Sequence, residues 1–216
     1  MRNQFDEQLE QLGTELTEMG AYIEEAITHA VKTLNTGDPA AAMQALSADS
    51  EVDQKEKTIE QLCFKLLLHQ QPVAGDLRLI STALKMITDM ERIGDQAADI
   101  TDLAMKIHRA GAVETPAHIQ KMAEKTIRMV KSSIDAFVRR DMALAVRVCE
   151  SDDAVDALFD QIKNDMVESI YADKNVGAQA LDMLMIAKYF ERIGDHAVNI
   201  AGWVIFSITG KHGKQA

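Results

Sequence analysis

The residues of this chain best placed to do chemistry are four pairs of carboxylates spaced four apart: Asp49 with Asp53, Glu91 with Asp95, Asp152 with Asp156, and Glu191 with Asp195. On a helix such pairs are neighbours, about 5–6 Å apart at Cβ, and their like charges destabilise it by roughly 0.2–0.5 kcal/mol. A divalent or trivalent cation held between two such helices would turn repulsion into coordination. Oxygen-only donors suit hard ions such as Mg, Mn or Fe(III) better than zinc. Asp99 and Asn199 continue the pattern by one further turn, again with oxygen donors. A single pair reads as solvated surface charge, but four pairs placed alike in two halves of one chain argue for a site. Arg92 and Arg192 fit two roles equally, as salt-bridge partners of these acids or as supports that orient them.

The two halves are copies. Glu91-Arg92-Ile93-Gly94-Asp95 recurs letter for letter as Glu191-Arg192-Ile193-Gly194-Asp195, and the match runs on to Ile100 and Ile200. Upstream, Asp38, Asp49, Val52 and Asp53 match Asp141, Asp152, Val155 and Asp156 at an offset of 103 residues. The change of offset to 100 fits a shorter loop between the second and third elements of the second copy. Such a unit far exceeds a solenoid repeat of about 34 residues. Duplication of a three-helix bundle is expected, with units at 1–112 and 113–216 related by a pseudo-twofold axis.

The elements that must position the acids are helices. The chain has 216 residues, 47% hydrophobic and 5% aromatic, with 11 Gly and 3 Pro, too few turn and β-forming residues for a sandwich or barrel. Breaks at Asp38-Pro39, Gln71-Pro72, Thr115-Pro116, Arg140-Asp141 and 173–177 divide it into six amphipathic runs, about 3–36, 39–69, 73–109, 116–139, 142–171 and 177–209. Asp38, Thr115 and Asp141 are placed to cap the helices that follow them, with a proline at the first helical position after Asp38 and Thr115. The fold class is therefore all-α, two tandem antiparallel three-helix bundles with short loops. Met86, Met90, Ile93, Ala97, Ile100, Ala104 and Ile107 trace one core stripe, and Ile186, Phe190, Ile193, Ala197, Ile200 and Val204 another. At about 100° per residue, Glu91, Asp95, Glu191 and Asp195 fall opposite those stripes. The expected site lies at the bundle surface where the second and third helices meet, with Gly94, Ala98 and Gly194 leaving room for close approach.

Charge narrows the function classes. The formal net charge is -11, with -9 in residues 1–110 and -2 in 111–216. Such a chain is repelled by phosphate backbones and anionic lipid, and neither half carries a basic patch, so cations or basic protein surfaces are the expected partners and nucleic acid is not. The start, MRNQFDEQLE, has no apolar stretch of a secretory signal, and no apolar run approaches the ~18 residues of a membrane span. A cytoplasmic location is expected. Cys63 and Cys149 lie far apart and form no CxxC, the pattern of small hydrophobes rather than of a redox pair or zinc site. His29, His69, His108 and His118 lie alone or near helix ends, and His196 has Gln96 as its counterpart. No Glu-x-x-His, P-loop or GxSxG motif is present.

The duplicated ERIGD segments, the paired E/D-x-x-x-D spacing and the Gln71-Pro72-Val73-Ala74-Gly75-Asp76-Leu77-Arg78 element resemble the PhoU family of phosphate-specific transport accessory proteins, over about residues 5–208. The resemblance implies a regulator without catalysis, commonly a homodimer, that binds metal ions (iron, magnesium, manganese or zinc) through its carboxylates. It implies as partners the ATPase subunit PstB of the Pst phosphate transporter and a PhoR-type sensor histidine kinase, with membrane association only through partners, and repression of uptake and starvation signalling when phosphate is ample. Carried over by position, the metal ligands are Asp49, Asp53, Glu91, Asp95 and Asp99 in one site and Asp152, Asp156, Glu191, Asp195 and Asn199 in the other. Asn199 in place of an acid lowers the charge of the second site, and the second copy lacks the Asp76-Leu77-Arg78 element. The alternative reading is a metal-dependent hydrolase or oxidase using the same carboxylates, and a third is a metal-free helical scaffold. No anion nest or basic pocket is apparent, so phosphate status is expected to arrive through partners.

Overall fold

A computed structural model describes residues 2–69, 73–111 and 115–211. Six helices account for nearly all of them: α1 (Arg2–Thr36), α2 (Pro39–His69), α3 (Ala74–Ala110), α4 (Ala117–Arg139), α5 (Met142–Ala172) and α6 (Gly177–Thr209). A 3₁₀ turn at Lys174–Val176 precedes α6, and no strand occurs among the described residues. Gln71 and Pro72 lie outside the described residues.

Local chemistry explains most boundaries. Asp38 Oδ1 accepts from the Ala40 amide at 2.9 Å, with Pro39 as the first helical residue of α2, and Asp141 Oδ1 accepts from the Leu144 amide at 2.9 Å at the start of α5. The expectation for Thr115 is corrected. Pro116 itself occupies the cap position of α4 without a side-chain bond, and the Thr115 hydroxyl turns away to donate to the Leu34 carbonyl at 3.4 Å. The turns before the two capped helices match: Gly37 and Arg140 are both left-handed, with φ of 63° and 52°. At Gly37 an added Cβ would sit 2.6 Å from the His108 ring, whose Nε2 is 2.8 Å from the Leu34 carbonyl. That close approach, together with the positive φ, requires glycine.

The helices form two bundles, α1–α2–α3 and α4–α5–α6, in which all three members touch one another. The bundles meet mainly along α3 and α6, with a smaller contact between α1 and α4, while α2 and α5 each touch only their own bundle. The order across the molecule is thus α2 as one wing, α1 and α3, then α4 and α6, and α5 as the other wing. Close packing between bundles is visible at Gly20, where a Cβ would lie 2.6 Å from Ile134 Cδ1.

Both expected core stripes are buried along their length. Buried hydroxyls do not disturb them. Thr33, Thr101 and Ser133 donate to carbonyls of their own helices at 2.7–2.8 Å, so no donor is left unpaired there. The buried arc of α3 is wider than the stripe. A second edge of period seven, Ile80, Ile87, Gly94 and Thr101, is also buried, and α6 repeats it as Ala180, Ala187, Gly194 and Ala201. Gly94 on this edge meets Asp49 and Val52 of α2, and Gly194 meets Asp152 and Val155 of α5. The packing of the wing helices explains why Glu91, opposite the apolar stripe, has a side chain only 22% exposed.

Candidate functional site

The carboxylates gather where each wing helix crosses the third helix of its bundle. In the first bundle the crossing is made possible by Gly94. A Cβ there would lie 2.7 Å from Asp49 Oδ1 and 3.3 Å from Val52 Cγ1, so a larger residue would have to displace the Asp49 carboxylate and crowd Val52. Asp49 Oδ1 is consequently buried, with no hydrogen-bond partner among the described residues. Burial, reinforced by the negative charges of Asp53, Asp95, Glu91 and Asp99, pushes the Asp49 carboxyl up to about 6. The other four acids assigned from sequence to this site therefore all act on Asp49.

Glu56 belongs with them and was not anticipated. It stands on α2 one turn beyond Asp53, and burial and then the Asp53 charge raise its pKa. Glu91 is raised in turn by burial and Asp95, with Glu56 and Asp53 adding to the effect. The signal for Glu56 was present as an extension of the Asp49–Asp53 stripe by three residues. It was hidden because the counterpart position, 103 residues on, is Phe159.

Arg92 settles as a salt-bridge partner: its Nη1 is 3.1 Å from Asp95 Oδ2 and its Nε 3.4 Å from Glu91 Oε2. Arg192 acts differently. Its charge is felt by Asp99 across the contact between the bundles, where the Tyr189 hydroxyl also donates to that carboxylate. Asp99 thus faces both its own cluster and α6.

The second bundle is built alike and charged otherwise. Burial, with Asp156, Asp195, Asp153 and Glu191 adding their charges, raises Asp152 to about 6. Burial and then Glu191 raise Asp195. Gly194 is less pressed, an added Cβ standing 3.5 Å from Asp152 Oδ1. Lys188, where the first copy has Thr88, forms an ion pair with Glu191, and its ammonium lies 5.3 Å from the centre of the Phe159 ring. Asn199 reaches across to α3, where its Nδ2 donates to Asp89 Oδ1 at 3.2 Å, beside His196 Nδ1 at 2.9 Å from the same oxygen. His196 therefore ties the two bundles together, whereas His118 pairs with Asp165 within the second, at 2.7 Å.

Among the described residues no three histidine, cysteine or acidic side chains close around a single point tightly enough to enclose an ion as they stand. The first cluster nevertheless presents what a hard cation needs, an all-oxygen donor set and a buried oxygen without a partner. Cys63 is buried and its thiol pushed up to about 12 by burial, while Cys149 is half-buried on α5, away from it.

The chain matches the PhoU domain twice, over residues 16–104 and 119–204. A protein of Clostridium acetobutylicum named as a phosphate-specific transport system accessory protein PhoU homolog is 36% identical, covering 97% of this chain and 96% of its own. The crystal structure of PhoU from Pseudomonas aeruginosa superposes with a TM-score of 0.89 at 32% identity, covering 96% of this chain and all of that one. A Streptococcus pneumoniae phosphate transport system regulatory protein, 21% identical, shares the fold with a TM-score of 0.88 over 97% of this chain and 99% of its own.

Proposed function

The chain belongs to the PhoU family, and from that premise we propose that it is a metal-binding regulatory adaptor that restrains phosphate uptake and phosphate-starvation signalling. The observation that carries this reading is that the PhoU domain is matched twice, over residues 16–104 and 119–204, and each match contains a carboxylate cluster at the same helix crossing. On this reading the partners are PstB, the ATPase subunit of a Pst transporter, and a PhoR-type sensor histidine kinase. The adaptor works in the cytoplasm as a homodimer, with functional units at 1–112 and 113–216. No helix among the described residues is long and apolar enough to cross a membrane, in keeping with a membrane association made through partners.

The metal part of the proposal rests on the first cluster. Asp49, Asp53, Glu91, Asp95 and Asp99 would hold the ion, joined by Glu56, and the buried Asp49 oxygen without a partner is what favours a cation there. The ion would supply positive charge to a crossing that otherwise holds mutually repelling carboxylates. In the second cluster Asp152, Asp156, Glu191, Asp195 and Asn199 are the corresponding ligands. Oxygen donors favour magnesium, manganese or iron, with zinc less suited.

That the relatives are named accessory proteins supports a role without turnover. Deleting the gene and measuring phosphate uptake and a starvation-induced phosphatase in phosphate-replete medium tests the regulatory reading. Derepression of both is expected, and rescue by wild type but not by an Asp49→Asn, Glu91→Gln double variant would tie it to the cluster. Unchanged regulation in the deletion strain would overturn the reading, and so would hydrolytic or redox turnover abolished by Glu91→Gln. Elemental analysis of protein purified without chelators or an affinity tag reads the metal directly.

A further inference from the structure

A sizeable cavity lies away from the first carboxylate cluster. It is a groove of about 940 Å³ formed mostly by the second bundle, running along α6 between α3 and α5. Its α5 side extends from Met142 to Asp153, about 16 Å at ~1.5 Å per residue, or three helical turns. The floor is apolar: Met142 and Val146 are exposed there, and Val198 and Trp203 of α6 are partly covered. An added Cβ at Gly202 would meet nothing within 4 Å, so the floor is open at that point. The rim is acidic, carrying Asp89, Asp152 and Asp153, whereas its lysine, Lys85, is 5.9 Å from the centre of the Trp203 ring.

An apolar trough of this length with carboxylates along its edge has the complement of one chemistry, an amphipathic helix with a basic flank. We propose that this groove is the docking site for such a helix from a partner protein, its apolar face on Val146, Val198 and Trp203 and a cation of its flank at Asp153. A second copy of this chain fits poorly. An isologous contact would bring the acidic rim against itself, and the same rim repels anionic lipid. The counterpart by repeat position in the first bundle is smaller, about 480 Å³, and is lined by Asp102 at the position of Gly202 and by Arg109, so the second bundle provides the helix site. The proposal rests on the adaptor reading and assigns it a surface.

Trp203 is the chain's single tryptophan, so its emission reports on the groove without a label. Full-length protein titrated with a synthetic Leu/Lys amphipathic helix of about five turns should show a saturable change in that emission, weakened by added salt. Val146→Lys or Asp153→Lys should raise Kd about tenfold or more, and Gly202→Leu, which fills open space and keeps the fold, should do the same. Equal affinity for a Leu/Glu helix, or unchanged affinity in all three variants, would overturn the proposal. A groove variant that altered the sedimenting mass of the protein alone would assign the groove to a second copy, and an equal response to anionic vesicles would assign it to lipid. Either result overturns the helix. Should the titration fail while gene deletion still derepresses phosphate uptake, the groove is wrong and the adaptor reading stands. Should deletion change nothing, the adaptor reading fails whatever the groove binds.

Discussion

The two carboxylate clusters share five consecutive letters, Glu-Arg-Ile-Gly-Asp, yet they are not the same site. In the first, Glu56 and Asp99 add negative charge to the two acid pairs, and the glycine crossing presses an oxygen of Asp49 into a place without a partner. In the second, Phe159 stands for Glu56, Asn199 for Asp99 and Lys188 for Thr88, so an ammonium of the chain itself already pairs with Glu191. The difference arises one helical turn from the repeated letters, where side chains on neighbouring turns and helices reach the same acids. A motif states which donors are present, and its neighbours decide how much charge those donors leave unbalanced.

The turns between the first two helices of each repeat offer the largest contrast. Gly37 and Arg140 share a left-handed conformation, but only Gly37 lies against a histidine ring. Gly37→Ala should lower stability by about 2–3 kcal/mol through a disfavoured φ and a clash. Arg140→Gly should instead raise it by somewhat under ~1 kcal/mol. Urea unfolding of the two variants checks both signs, and a neutral Gly37→Ala would break the contrast.

The clusters can be made alike. Replacing Lys188 by Thr and Phe159 by Glu installs the first repeat's residues in the second, and should tighten Mn²⁺ binding there about tenfold, some 1.4 kcal/mol. Calorimetry in an Asp49→Asn background isolates that site. No change in affinity would show that local charge does not distinguish the two.

Acidity comes next in size. Asp49 and Asp152 are both raised to about 6 from an ordinary 3.8, so the folded state binds their protons more tightly than the unfolded state does. That proton-linked stability is fully present below about pH 4 and lost as pH rises through about 6. Both side chains are only partly buried, and solvent screening reduces the effect to about 1 kcal/mol each. Thermal unfolding of metal-free protein should therefore show higher stability at pH 5 than at pH 7. Asp49→Asn and Asp152→Asn should each flatten part of the slope, and a slope of opposite sign in wild type would remove electrostatic strain from both clusters.

The smallest test compares the two glycines. Gly194→Ala has ordinary contact distances and should stabilise α6 by about 0.5–1 kcal/mol through helix propensity. Gly94→Ala must displace the Asp49 carboxylate and crowd Val52, and should cancel that gain or reverse it by about 1 kcal/mol. Equal effects at the two positions would mean that α2 and α5 cross their partners at the same closeness.

Much of this was legible in the linear chain. The six helix ranges follow from a period of 3.6 broken by Asp38-Pro39, Arg140-Asp141 and similar signals, because caps and proline act through bonds within a few residues. The first cluster was legible because both pairs of acids lie on single helices, where spacing fixes direction. Thr115 misled for a tertiary reason: its hydroxyl found the Leu34 carbonyl, on another helix, in place of its own. Glu56 was missed because comparison of the copies marks only what they share. The groove was not legible at all, since its walls come from three helices and its openness depends on how far apart α3 and α5 stand.

The sequence by itself determined an all-helical duplicated fold, the stripes that bury its core and the acids available to meet a cation. These depend on periodicity and repetition, which are properties of the chain read in order. Only the tertiary structure decided which acids act together, that Arg92 stays with its own cluster while Asn199 reaches across to the other bundle, and that Lys188 pairs with one acid of the second site. Those outcomes depend on distances between helices, and such distances are set by packing at positions such as Gly94, Gly194 and Gly20.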